Sequence, residues 1–223
     1  MKIKVCGMRD SENITELVKL TPDYIGFIFY DKSKRVVTNF PEVDIPINIK
    51  KVGVFVNESI VKIVELVLKH QLNAVQLHGD ETAEFCRELK RHPKLVSGSH
   101  SDEMLKQVQH DEPFTIIKAF SVDKDFDFSI TLDYEPYCNL FIFDTKGKGY
   151  GGTGLKYDWN ILKKYQGETP FLLSGGIGIN DVDAVNKFTH SKFIGVDLNS
   201  GFEDAPALKN IEKLKRFISE INV

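Results

Sequence analysis

The chain has 223 residues, 42% hydrophobic and 27% charged, which suits one large globular domain. Its net charge of −3 and pI near 6.1 argue against a nucleic-acid binder, which usually carries a basic stripe. The start at Met1–Cys6 lacks the apolar segment of a signal peptide, and no apolar run approaches the roughly 18 residues of a membrane span, so neither secretion nor a membrane is expected.

Short β-rich apolar runs recur along the chain. The first is Lys2–Cys6 and the second Tyr24–Tyr30, after which Pro41 and Pro46 make a poor helix. Lys51–Val56 follows, with a helical stripe at Ile60, Ile63, Val64, Val67 and Leu68. Next come Ala74–Leu77, then Thr82 opening an acidic and apolar helical segment, and Phe114–Phe120, followed by a second poor helix interrupted by Pro136. Leu140–Asp144 and Phe171–Leu173 are next. Asn180 before Asp181-Val182-Asp183 reads as an N-cap with an acidic first turn. Phe193–Val196 is the eighth run, and Ile211, Leu214, Phe217 and Ile218 form a closing stripe, with Pro206 near the expected helix start.

Most of these runs are apolar nearly throughout, as parallel strands buried on both faces require. Eight strands with about six helices fit a single-domain (β/α)8 TIM barrel in which the second and fifth helices are degraded; a doubly wound open sheet is the second choice. The fourth-to-fifth strand interval is about 40 residues against about 20–30 elsewhere. The excess, residues 91–112, reads as an insertion between helix 4 and strand 5, with Ser101–Gln109 able to form one helical stretch. Such a connection lies on the barrel face opposite the active site, so no catalytic role is expected, with partner binding as the alternative.

In this architecture strand ends and the loops after them converge on one mouth. The chemistry-bearing residues at those positions are Cys6, Lys34-Arg35, His78, Asp144, Ser174-Gly175-Gly176 and the Asp197–Gly201 segment with Asn199 and Ser200. The glycine turns after the last two strands expose backbone N–H groups, and the helix near Asn180 adds its dipole, which points to phosphate. A carboxyl ending an apolar strand, as Asp144 does, is costly to bury without a partner, and partial desolvation would keep it protonated as a general acid requires. Cys6 becomes a useful base only as the thiolate, which nearby cations must favour, and Arg35 is the candidate. His78 and Asp80 cannot complete a metal site, so no metal is expected and His78 is read as a hydrogen bonder lining the pocket. Cys86 and Cys138 read as helix and loop packing; three unclustered cysteines suit a reducing cytoplasm. The five glycines of 146–154 suit either a segment that closes over a bound ligand or a plain flexible connector.

Taken together these pieces resemble the phosphoribosylanthranilate isomerase family of tryptophan biosynthesis. They are Lys4–Met8, Gly26–Tyr30 with Lys32–Arg35, Val52–Asn57, Asn73–Gly79, Phe143–Thr145 with Tyr150–Gly154, Leu173–Gly176 and Val196–Gly201, in the family's order and across nearly the whole chain. The resemblance implies an Amadori rearrangement needing neither metal nor cofactor, on a small phosphorylated substrate, in a monomer or homodimer. It implies Cys6 as general base, Asp144 as general acid, Arg35 near the anthranilate carboxylate, and Gly175, Gly176, Asn199, Ser200 and Gly201 gripping phosphate; His78 and Asp197, from their strand-end positions, are also read as substrate-binding. Two departures stand out: the 91–112 excess, and Asn199 where serine is also common. The alternatives are another sugar-phosphate barrel, such as indole-3-glycerol phosphate synthase or an epimerase, and an inert phosphate-binding barrel. The first strand ends in Cys6 rather than a lysine-centred acid system, and no convincing metal set is present.

Overall fold

The computed structural model describes residues 1–96, 115–145 and 158–221. Strands β1 (Lys2–Cys6), β2 (Tyr24–Ile28), β3 (Lys50–Phe55), β4 (Ala74–Leu77), β5 (Thr115–Val122), β6 (Leu140–Thr145), β7 (Phe171–Leu173) and β8 (Phe193–Leu198) pair in parallel in chain order. The last then pairs with the first, Lys4 opposite Asp197, and the barrel is closed. All eight sequence-derived strands are therefore present, and the fold is the TIM barrel. The open-sheet alternative falls with the β1–β8 pairing.

Five α-helices occur among the described residues: α1 (Ser11–Val18), α2 (Ile60–His70), α3 (Ala83–Val96), α4 (Val182–Lys187) and α5 (Ile211–Ile221). Most begin on a side chain that satisfies an otherwise orphaned N–H. Asp10 accepts from Asn13 N–H at 2.8 Å, Ser59 from Lys62 N–H at 3.3 Å, Thr82 from Phe85 N–H at 3.2 Å and Asn210 from Lys213 N–H at 2.9 Å. The expected start at Thr82 is thus found. Helix α2 ends where Gln71 turns left-handed, φ 51°.

Several boundaries differ from the sequence reading. Among its described residues the sixth connection carries a short 3-10 helix, Trp159–Lys164, and no α-helix. Asn180 caps nothing: it lies inside a 3-10 turn, Ile179–Asp181, and the Asp181 carboxylate accepts from Gly178 N–H at 2.7 Å before α4 starts. Asp181 therefore works as a turn-closing side chain, and the helix dipole near the glycine turn is short. Pro206 sits between two further strands, β9 (Glu203–Ala205) and β10 (Leu208–Lys209), so it makes a hairpin turn and α5 begins beyond it. Helix α3 continues to Val96, so the expected insertion begins as regular helix. Its remainder, with the Ser101–Gln109 segment, lies outside the described residues, as does the glycine-rich 146–154 stretch.

Where helices are missing, aromatic rings cover the barrel wall. In the second connection Phe40 stacks on the His70 ring, with centroids 4.2 Å apart at 16°, and packs on Phe27 at 4.7 Å. The fifth connection forms a 3-10 helix, Phe128–Asp133, whose first residue meets Phe143 of β6 edge-on at 5.6 Å. Tyr165, closing the sixth connection, meets Phe143 at 5.2 Å and Phe171 at 5.7 Å. Each ring buries enough apolar area to do part of a helix's work, and edge-on geometry adds a quadrupole contribution. A second, smaller cluster of Val52, Ala74, Ile117, Ala119, Leu140, Ile142 and Leu172 fills the barrel interior. Alternation along the strands separates the two: Ile3 and Val5 join the outer core, while Lys4 and Cys6 face inward.

Phe143 is fully buried among Phe120, Phe128, Tyr165 and Phe171. Phe143→Ala is expected to lower the unfolding free energy by about 3–5 kcal/mol, read from urea unfolding, because the surrounding rings cannot collapse into the space. A loss below about 1 kcal/mol would contradict this view of the outer core.

Candidate active site

A cavity open to solvent lies at the C-terminal ends of the strands. Cys6, Arg35, His78, Asp144, Gly175, Gly176, Asp197, Asn199, Ser200 and Gly201 all line it. Lys34, exposed beside Arg35, does not line it; the other site residues selected from the sequence are brought to one mouth. Barrel geometry explains this, since the residues sit at or just beyond the ends of β1, β2, β4, β6, β7 and β8.

The floor under Cys6 is charged. Lys4, two residues earlier on the same face of β1, is completely buried, and its Nζ donates to Asp197 Oδ1 at 2.9 Å. A Cβ built on Gly26 of β2 would lie 2.8 Å from Cys6 Sγ and 3.3 Å from Lys4 Nζ, so both heads crowd one point. Only glycine leaves them room. Burial pushes the Cys6 thiol above its ordinary range, Lys4 and Lys209 pulling it down and Asp197 pushing it up. Burial also pushes the Asp197 carboxyl up, with Lys4 as the main opposing influence. For Lys4 itself burial acts downward, but Asp197 and then Cys6 outweigh it and raise the ammonium above its ordinary value.

Asp144, on β6, is held from three sides. Its Oδ1 accepts from Thr145 N–H at 2.9 Å and from the Ser174 hydroxyl at 3.3 Å. Its Oδ2 faces His78 Nε2 at 3.5 Å. Gln76 Nε2 lies 2.9 Å from His78 Nδ1; with the amide donating, the ring proton sits on Nε2 and faces the carboxyl. Strand neighbours thus fix the orientation of both groups.

The rim carries cations and glycine turns. Arg35 does not stand free as the isolated mouth charge the sequence suggested. Its Nε and Nη2 grip Glu203 of β9 in a fork, at 2.8, 3.1 and 2.6 Å. Lys209 of β10 also reaches Glu203, at 2.5 Å, and donates to Asn199 Oδ1 at 3.0 Å. Gly175 turns with φ +92°, and a Cβ there would stand 2.1 Å from Thr145 Oγ1, so the turn after β7 needs glycine on both counts. Gly201 is as confined, since a Cβ there would stand 2.0 Å from the Ile177 carbonyl oxygen. The two loops are therefore wedged together at one corner of the cavity.

Lys4, Gln76, Glu203 and Lys209 were not singled out from sequence. Lys4 alternates with Lys2 and reads as an ordinary edge-facing lysine. Glu203 and Lys209 belong to a hairpin too short to register as strands. The one available signal was spacing: Lys4 and Gln76 each precede a mouth residue by two, which places them on the same inward face. Cys86 and Cys138, far apart in sequence, come together outside the barrel in a buried thiol–thiol hydrogen bond that raises Cys138 and lowers Cys86.

Fold and site together define a (β/α)8-barrel chain with a charged, glycine-rimmed cavity at the catalytic face. The sequence profile described as N-(5'-phosphoribosyl)anthranilate (PRA) isomerase matches residues 3–112 and 98–220. Over 226 residues the chain is 43% identical to the N-(5'-phosphoribosyl)anthranilate isomerase of Parabacteroides distasonis, covering 99% of this chain and 93% of that protein. The enzyme of the same name from Phocaeicola vulgatus is 41% identical over 221 residues, covering 99% and 98%. The crystal structure of phosphoribosyl anthranilate isomerase from Thermotoga maritima superposes with a TM-score of 0.78 at 32% identity, over 100% of this chain and 98% of that one. A structure of such an isomerase in complex with reduced 1-(o-carboxyphenylamino)-1-deoxyribulose 5-phosphate gives 0.77 at 29% identity, with the same coverage. The chain belongs to the N-(5'-phosphoribosyl)anthranilate isomerase family.

The Arg35–Glu203–Lys209 network carries a pH signature. Burial acts to raise the Glu203 carboxyl, but Arg35 and Lys209 outweigh it and hold it below its ordinary 4.5. A depressed folded value means that the unfolded chain takes up the proton first as pH falls. The stabilisation is therefore complete above 4.5 and disappears as pH falls through the depressed value. The difference in urea midpoint between wild type and Glu203→Gln is expected to shrink from about pH 7 to about pH 3. A difference independent of pH would contradict the ionic reading.

Proposed function

We propose that this protein converts N-(5-phosphoribosyl)anthranilate to 1-(2-carboxyphenylamino)-1-deoxyribulose 5-phosphate, a step of tryptophan biosynthesis, with Asp144 as general acid and Cys6 as general base. The observation that carries the reading is the convergence of a thiol, a hydrogen-bonded carboxyl, a cation and two glycine turns on one cavity. It is supported by the family to which the chain belongs.

The chemistry asks for these parts. Asp144 gives its proton to the ribose ring oxygen; the C1–O bond breaks as the anilino nitrogen lone pair forms C1=N⁺, and the ring opens. The Cys6 thiolate then takes the proton from C2. The C2–H electrons become the C1=C2 bond, the C1=N π pair returns to nitrogen, and the resulting enolamine tautomerises to the ketone. One proton is given and one taken, so acid and base must serve the same bound sugar. β1 and β6 stand three places apart round the closed ring, with β7 and β8 between them, and it is those two strands that supply the phosphate corner. Gly175 and Gly176 offer backbone N–H groups there, with Ser200 and Gly201 opposite, and Asn199 adds a side-chain amide whose oxygen is already taken by Lys209. Glu203 holds one edge of the Arg35 guanidinium, and the other edge, which meets no hydrogen-bond partner among the described residues, serves the anthranilate carboxylate. His78, oriented by Gln76, stands against the acid carboxyl.

Cys6→Ser and Asp144→Asn are each expected to lower kcat by about 10²–10⁴-fold with affinity for a phosphate-bearing product analogue retained. Turnover would be followed on freshly generated phosphoribosylanthranilate. A variant that loses affinity alone would recast that residue as a binding group, and near-normal kcat in Cys6→Ser would remove the thiol from the reaction.

A further inference from the structure

The base assignment leaves a question of charge. A thiol serves as a base through its thiolate, and burial and the Asp197 carboxylate both oppose that anion. Some buried cation must hold it. The groups facing Cys6 are Lys4 beside it on β1, Asp197 from β8, Arg35 from the connection after β2 and Lys209 from β10. Asp144 and His78 act on Asp197 from β6 and the end of β4.

Two of the three cations are committed elsewhere. Arg35 spends Nε and Nη2 on Glu203 in three short contacts. Lys209 reaches both Glu203 and Asn199. Lys4 gives one of its three donors to Asp197 at 2.9 Å, and its ammonium and the Cys6 sulfur flank the same point above Gly26. The i, i+2 spacing on β1 fixes this approach, because both side chains project into the barrel from one strand face.

We propose that Lys4 is the positioning residue of the general base: its ammonium donates to the Cys6 sulfur and holds the thiolate that takes the C2 proton, while Asp197 anchors that ammonium. The proposal rests on the reading of Cys6 as base. It assigns Asp197 a part beyond substrate contact, since a carboxylate at 2.9 Å keeps a fully buried lysine both charged and fixed in place. It also fits the glycine at position 26, since a Cβ there would displace the Cys6 sulfur and press on the Lys4 ammonium.

The test is the pH dependence of iodoacetamide labelling at Cys6, resolved from Cys86 and Cys138 by peptide mass spectrometry, in the full-length wild type and Lys4→Met. Labelling rate follows the thiolate fraction, so it reports the sulfur without relying on turnover. Removing the ammonium is expected to move the Cys6 profile to higher pH by at least about one unit, so that labelling at a fixed pH below both midpoints slows about tenfold or more. Asp197 would be left buried without its partner in Lys4→Met; Lys4→Met/Asp197→Asn removes that burden and is expected to show the same direction of shift. Coincident labelling profiles for wild type and variants would overturn the proposal even if turnover fell, because Lys4 would then be structural. No labelling of wild-type Cys6 across the range would also overturn it, since the thiolate would not form. If Cys6→Ser keeps turnover while the Lys4 variants still shift the labelling profile, the base assignment fails and the hold of Lys4 on the sulfur stands.

Discussion

Barrel closure decides the site. β1 meets β8 with Lys4 opposite Asp197, and the strand pleat turns both inward, where water is excluded and an unpaired charge would be very costly. The 2.9 Å contact resolves that cost only in this register. A slip by one residue would face Lys4 into the outer apolar core and leave Asp197 alone among the interior side chains. The same register sets Cys6 two residues above Lys4 and lifts Asn199, Ser200 and Gly201 to the rim. A buried ion pair of this kind adds little net stability, so its value here lies in specifying one closure and one charge arrangement.

The outer wall follows a different logic. Parallel strands need both faces covered, yet among the described residues the second, fifth and sixth connections supply no α-helix. Phe40, Phe128 and Tyr165 take over, each placed by a short loop or 3-10 turn and packed onto rings of the strands beneath. Aromatic side chains suit this because one residue covers area that would otherwise take most of a helical turn. The cost is low regularity on that side of the barrel, while the helices on the other side keep their caps and apolar stripes.

This contrast sets how much could be read from the chain. Strands declared themselves because burial on both faces leaves an unbroken apolar run, as in Leu140–Phe143. Helices with a cap and a 3.6-residue stripe, such as Ser59 with α2, were equally plain. Asn180 misled because its acidic neighbours imitate an N-cap, whereas Asp181 closes a tighter turn onto Gly178. Pro206 misled in the same way, marking a hairpin rather than a helix start. Within the site, strand-end residues were legible because topology alone puts Cys6 and Asp144 at one mouth. Their partners were not. Glu203 meets Arg35 across 168 residues, and no local pattern announces that contact. Lys4 was hidden by its own chemistry, since an alternating lysine is ordinarily a solvated one.

The central claim is that one sugar phosphate spans this cavity with its phosphate at the glycine corner and its C2 proton and ring oxygen presented to different strands. The most direct measurement is a crystal structure of this protein with reduced 1-(o-carboxyphenylamino)-1-deoxyribulose 5-phosphate bound. The account predicts phosphate on the backbone N–H groups of Gly175, Gly176, Ser200 and Gly201, the C2 carbon beside Cys6 Sγ, the oxygen derived from the ring facing Asp144, and the carboxylate at Arg35. Phosphate seated elsewhere, or C2 out of reach of the sulfur, would contradict it.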